Sequence, residues 1–131
     1  MKPTALARIA AYIVDSRQDV TAGDTRDAAL RCLFDVIVAA AAGRDDRGPA
    51  AVRHVTGMFG EGSIPVWFTA STVSEIAAAW ANSAAASAQD LDDGHRLARG
   101  HPGAVVIPAV LAVGQARRAS WDRMLTAIDI G

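Results

Sequence analysis

The sequence predicts an all-α fold, a helical bundle with at most one short strand or hairpin, and three observations predict it. Apolar residues recur at helical spacing along most of the chain, with little of the alternation that marks strands. Alanine is abundant while aromatic residues make up only 5% of the 131 positions, a balance that favours closely packed helices over a β-sandwich. A hydrophobic share of 51% beside 21% charged residues gives one domain or subdomain, residues 1–131, a real core and leaves no room for a second.

Taken in order, Leu6, Ile9, Ala10 and Ile13 set a first helix from about Thr4 to Val14, with Arg8 on its polar face. Thr21-Ala22-Gly23-Asp24 opens a second helix, whose stripe of Leu30, Leu33, Phe34, Ile37, Val38 and Ala41 is long and regular. Its other side, with Ala29, Cys32, Val36 and Ala40, is apolar too. This helix is therefore expected to be central and buried on more than one face, ending at Gly43 as a C′ glycine. After a polar loop from Arg44 to Gly48, Pro49 suits the first position of a short helix reaching about Met58. Gly57, Gly60 and Gly62 then interrupt. Ser63 to Phe68 is the β-like stretch, and it must pair in a short hairpin or with chain elsewhere.

Thr72 or Ser74 caps a helix through Ile76, Ala79, Trp80 and Ser83 to about Gln89, whose small residues allow close contact with the Phe34 helix. A charged loop from Asp90 to Gly100 precedes a very apolar helix from about Ala104 to Ala119. Pro108 falls early in it, so its missing N–H implies a kink or a late start rather than a break. Ser120-Trp121-Asp122-Arg123 caps a last helix carrying Trp121, Leu125 and Ile128. Ile128 and Ile130 run to Gly131 with no polar cap behind them, so the expectation is an element cut short and a chain that is the N-terminal part of a longer protein.

A formal net charge of -1, with Lys and Arg spread along the chain, offers no phosphate-backbone footprint, so no nucleic-acid partner is expected. The single cysteine, Cys32, excludes an internal disulfide and a thiolate cluster; it reads as a core residue in a reducing, cytoplasmic setting. Met1-Lys2-Pro3 leads into an amphipathic segment, and the apolar run Val36 to Ala42 is too short to span a bilayer, so no membrane is expected.

The densest set of reactive side chains is Asp90-Leu91-Asp92-Asp93-Gly94-His95, followed by Arg96, Arg99 and His101. A carboxylate beside an imidazole, in a loop between two buried helices, can share general acid and base duties where the loop is partly desolvated. His101-Pro102-Gly103 stands before a helix whose first N–H groups are free, which makes Gly103 part of a ready carboxylate cradle. Arg96 or Arg99 can add a bidentate contact to a second carboxylate. The same run also reads as a solvated turn with Asp93-Gly94 at its tip, or as an oxygen-rich site for magnesium or calcium on Asp90, Asp92 and Asp93. The spacing lacks the glycine and terminal glutamate of an EF-hand, and a phosphatase-type D-x-D would follow a buried strand rather than an alanine-rich helix, so no metal is assigned. His54, with no acid three or four residues away, reads as a surface histidine, and Trp67, Trp80 and Trp121 read as packing residues.

Asp90-Leu91-Asp92-Asp93, then Gly100-His101-Pro102-Gly103, then Val106-Ile107-Pro108-Ala109 with Leu111-Ala112, resembles the signature of the MmgE/PrpD family, which includes 2-methylcitrate dehydratase, cis-aconitate decarboxylase and iminodisuccinate epimerase. Leu33 to Gly43 resembles the family's second helix, and Ser63 to Trp67 and Ala81-Asn82-Ser83 resemble its next strand and alanine-rich helix, so the resemblance covers nearly the whole chain in order. It implies a two-domain enzyme, a large helical domain with a smaller α/β lid, working as a homodimer without metal or other cofactor. It implies proton transfer next to a carboxylate on a small polycarboxylic acid, with dehydration, decarboxylation or epimerisation as the outcome. On this resemblance Asp90 and His101 line the active site as catalytic residues, and the reading of the loop puts Asp93, His95, Arg99 and Gly103 on the substrate side. The family's remaining catalytic histidine and lysines lie beyond this stretch, which implies either the N-terminal part of such an enzyme or a non-catalytic helical module that dimerises or pairs with a separate subunit. A threonine of the decarboxylase branch has no counterpart at Gly94 or His95, and Arg99-Gly100 before His101 is closer to the epimerase-like branch.

Overall fold

Small side chains decide how close the helices come, and here they decide where the core lies. A computed structural model describes residues 3–16, 23–97 and 99–131, and within them the elements run α1 (Ala5–Ser16), α2 (Asp24–Gly43), α3 (Arg47–Thr56), β1 (Ile64–Pro65), β2 (Thr72–Val73), α4 (Glu75–Ser87), α5 (Pro102–Ala116) and α6 (Trp121–Ile130). The all-α reading holds. The β-like stretch resolves into a short antiparallel hairpin, Ile64 opposite Val73 and Pro65 opposite Thr72. The Thr21-Ala22 part of the expected opening of α2 lies outside the described residues.

Helix α4 sits at the centre, against α2, α3 and α5, because Ala77, Ala78, Ala81, Ala85 and Ala86 give it almost no side-chain bulk on its buried faces. Its start is fixed by Ser74, whose hydroxyl accepts from the Ala77 N–H at 3.4 Å, an N-cap as expected. One core joins Val36 and Ala40 of α2, Ala85 and Ala86 of α4, Ile107 and Leu111 of α5, and Leu125 and Ile128 of α6. A smaller one joins the hairpin residues Ile64 and Val73, with Val66, to Ala77, Ala78 and Ala81. The buried Asn82 ties that hairpin to α4: its Oδ1 accepts from the Trp67 N–H at 2.9 Å and its Nδ2 donates to the Pro65 carbonyl at 3.3 Å.

Several expectations change at this level. In α2 the long stripe is only partly buried: Leu30 and Leu33 pack against the core, but Phe34 is 72% exposed and Val38 50% exposed, while Ala29, Val36, Ala39, Ala40 and Gly43 on the other side are buried. The physical reason is distance, since only the small-residue side lets α2 close on α4. Gly43 is the last residue of the helix rather than a left-handed C′ glycine, and it is followed by the right-handed Arg44. A Cβ there would run into the Ala85 carbonyl and come within 2.8 Å of the Ala88 Cβ, so this glycine serves close packing. In α4, Ile76 is 75% exposed and Trp80 lies half in solvent against the edge of Phe59, ring centroids 5.8 Å apart.

Of the other tryptophans, Trp67 packs on the main core, while Trp121 is 43% exposed. Pro49 is the third residue of α3, still in the first turn where its missing N–H has no helical partner to lose. Helix α5 starts at Pro102, earlier than Ala104, and passes through Pro108, which is fully buried. Cys32 is half-buried against the core rather than inside it. Among the described residues no helix is long and apolar enough to cross a membrane.

Candidate functional site

The candidate site lies in the loop between α4 and α5. Past Ala88 the chain turns away from α4 through Asp90 in a left-handed conformation, φ 55°, one that aspartate tolerates better than most residues. At the other end Arg99 is also left-handed, φ 52°, and the loop closes on itself: His95 N–H donates to the Gly100 carbonyl at 2.9 Å and Arg99 N–H to the His95 carbonyl at 2.8 Å. This closure returns the chain to His101, directly before α5, opposite the acidic run that opened the loop.

Three side chains meet there. His101 Nε2 lies 3.1 Å from Asp90 Oδ1, and its Nδ1 lies 3.4 Å from Asp92 Oδ1 and 3.2 Å from the Asp92 carbonyl oxygen. The surroundings of the two carboxylates differ sharply. The Asp90 side chain is 85% exposed and that of Asp92 only 1%, with the imidazole between them at 39%. Burial pushes the Asp92 carboxyl above its ordinary range, opposed by backbone hydrogen bonding and by the charge of His101. Both Asp92 side-chain oxygens are buried, and among the described residues no other residue hydrogen-bonds to them, so the His101 ring is their principal polar neighbour. Gly94 stands beside the ring: a Cβ there would lie 3.8 Å from His101 Cε1, an ordinary contact.

One atom each of Asp90, Asp92 and His101 falls within 4.8 Å of the others, a spacing that can hold a divalent ion. The two carboxylates, however, address opposite nitrogens of one ring.

The substrate-side candidates separate from this triad. Asp93, His95 and Gly103 line an adjacent cavity of about 440 Å³ together with Cys32, Ile107 and Asp129, and neither Asp90 nor His101 is in its wall. The Asp93 carboxylate lies against the Gly103 Cα, where a Cβ would collide with it and would sit 2.8 Å from Val36 Cγ2. The start of α5 is thus flanked by the chain's own carboxylate, and Gly103 is the residue that makes the space. Burial, then the charges of Asp93 and Asp35, raise the Cys32 thiol above its ordinary range. Arg99 is exposed and lines neither the triad nor this cavity.

The family resemblance put Asp90 and His101 in one site, while the sequence considered Asp92 only as a metal ligand with Asp90 and Asp93 and did not find Cys32 or Asp129 as cavity residues. Two acids one residue apart, with an imidazole returning from across a loop, were the available signal for Asp92. No local signal marks Asp129, which reaches the cavity only because α6 packs on α2.

A family model described as the MmgE/PrpD N-terminal domain matches residues 7–131. No curated protein and no solved structure matches the chain significantly.

Proposed function

The chain belongs to the MmgE/PrpD family, and we propose that it carries the proton-transfer pair of a metal-independent lyase or isomerase acting next to a carboxylate on a small di- or tricarboxylic acid. The observation that carries this reading is the 3.1 Å contact between His101 Nε2 and Asp90 Oδ1 at the rim of a partly desolvated loop. Dehydration, decarboxylation and epimerisation of such acids share one requirement, a group that takes or gives a proton while negative charge builds beside a carboxylate. An imidazole serves both directions near neutral pH, and a carboxylate in contact with it stabilises the protonated ring.

Charge supports a division of labour. Three aspartates at the loop repel a substrate with two or three carboxylates, so cations must hold it; Arg96 and Arg99 stand on the same closed loop. His95, Asp93 and Gly103 would shape the pocket beside the reacting pair, which at about 440 Å³ has room for a small acid. The proposal includes further catalytic groups supplied from outside this stretch, by a second domain of the same enzyme, and a homodimeric, cytoplasmic protein. It is tested in the protein at its full natural length: His101→Ala and Asp90→Ala should each lower turnover of a responsive polycarboxylic acid by about 100-fold or more while the fold is kept. Near-normal turnover in both variants overturns the assignment.

A second reading, a non-catalytic helical module that pairs with itself or with a separate subunit, is favoured by α1. None of its residues is buried, and Leu6, Ile9, Tyr12 and Ile13 are exposed along one side.

A further inference from the structure

Resting on the reading of His101 as the proton-transfer group, we propose that Asp92 is the positioning residue of the site. Its buried carboxylate and its own carbonyl oxygen hold the proton of His101 on Nδ1, which leaves Nε2, beside the Asp90 carboxylate, as the place where the mobile proton is gained and lost. The direction follows from which acceptor is less screened. Nδ1 faces two oxygens of Asp92, the carbonyl at 3.2 Å and the carboxylate at 3.4 Å. The carbonyl oxygen can only accept from the ring, and the carboxylate beside it, while ionised, adds negative charge at 3.4 Å, so a proton on Nδ1 suits both and a lone pair there would be opposed by both.

Nε2 faces one oxygen, Asp90 Oδ1, at a shorter distance of 3.1 Å. That shorter contact is the weaker director. The Asp90 side chain is 85% exposed, so water screens its charge and it can turn away, whereas the Asp92 side chain is 1% exposed and has no other residue to hydrogen-bond to among the described residues. A neutral ring therefore carries its proton on Nδ1 and presents a lone pair on Nε2 toward Asp90. When the ring takes a second proton, that proton arrives on Nε2, where Asp90 can accept a hydrogen bond from it. Gain of one proton at Nε2 from a substrate carbon or water, or its loss to one, then interconverts the acid form and the base form of the pair without turning the ring. The buried position of Asp92 keeps it away from a substrate, so its effect passes through His101.

The test reads the ring nitrogens directly and needs no substrate. In the ¹⁵N-labelled chain, long-range proton–nitrogen spectra at alkaline pH, where the ring is neutral, should show His101 with a protonated-type Nδ1 and an unprotonated-type Nε2, its signals identified by their loss in His101→Gln. In Asp92→Asn the population should shift toward the Nε2–H form, because the Asp90 carboxylate becomes the only anion on the ring. In Asp90→Asn the Nδ1–H form should persist. A wild-type ring protonated on Nε2 overturns the proposal without any variant having to fold, and so does an Asp92→Asn spectrum like that of the wild type. Loss of activity plays no part in this readout: a confirmed tautomer in a protein that turns over no polycarboxylic acid leaves the role of Asp92 standing and removes the proposed reaction.

Discussion

At Asp92 burial and charge act in opposite directions, and stability should report the balance. Desolvation is the largest influence on this carboxyl and raises it above its ordinary range, although His101 opposes the rise. A folded value above the unfolded one means that, between the two, the folded state holds more protons than the unfolded chain. The contribution is present below the unfolded value of about 4 and is lost as pH rises through the raised folded value. Asp92→Asn removes that loss. Its melting temperature, relative to wild type, should therefore climb from acid to neutral pH in paired thermal scans, whereas parallel curves would show that burial does not govern this residue. That a carboxylate would meet the imidazole was legible in the sequence because acids and imidazole flank one loop; that Asp90 is one of them came from the family resemblance. Which acid meets which ring nitrogen was not legible, because that depends on left-handed turns at Asp90 and Arg99, and arginine gives no sign of such a turn.

Among the elements, the helices were legible from their periodicity and caps, Ser74 and Ser120 included. The buried face of α2 was not, because a stripe of large apolar residues at helical spacing is the usual core signal and here Phe34 and Val38 point outward. Alanine and glycine on the other side won because they let α2 approach α4, a property of the pair that one helix's own pattern does not display. Gly43 separates the two accounts experimentally. A C′ glycine tolerates asparagine, but a glycine facing the Ala85 carbonyl and Ala88 tolerates no side chain. Gly43→Ala and Gly43→Asn should each cost about 1–3 kcal/mol in urea unfolding. A Gly43→Asn chain as stable as wild type would contradict the packing role. The hairpin was visible only as a β-like stretch, since its partner, Thr72–Val73, is two residues long and its anchor, Asn82, belongs to the next helix.

For the whole molecule, an all-α bundle of the MmgE/PrpD family holds its acid–imidazole triad at the mouth of the α4–α5 loop and leaves one side of α1 uncovered. Exposed Leu6, Ile9, Tyr12 and Ile13 along a single helix make an association surface of the kind that rarely stays bare. Sedimentation of the purified chain should give a species heavier than 13.6 kDa, returning to the monomer in Ile9→Glu; a concentration-independent monomer in the wild type removes the pairing expected of α1. The central claim concerns chemistry at the triad, and it is tested most directly by isotope exchange in the protein at its full natural length. Incubated in deuterium oxide with small di- and tricarboxylic acids, the wild type should place deuterium on the carbon next to a carboxylate of at least one of them. His101→Ala and Asp90→Ala, still folded by circular dichroism, should lose about 100-fold or more of that rate. Exchange at the wild-type rate in both variants would contradict the assignment of proton transfer to this pair.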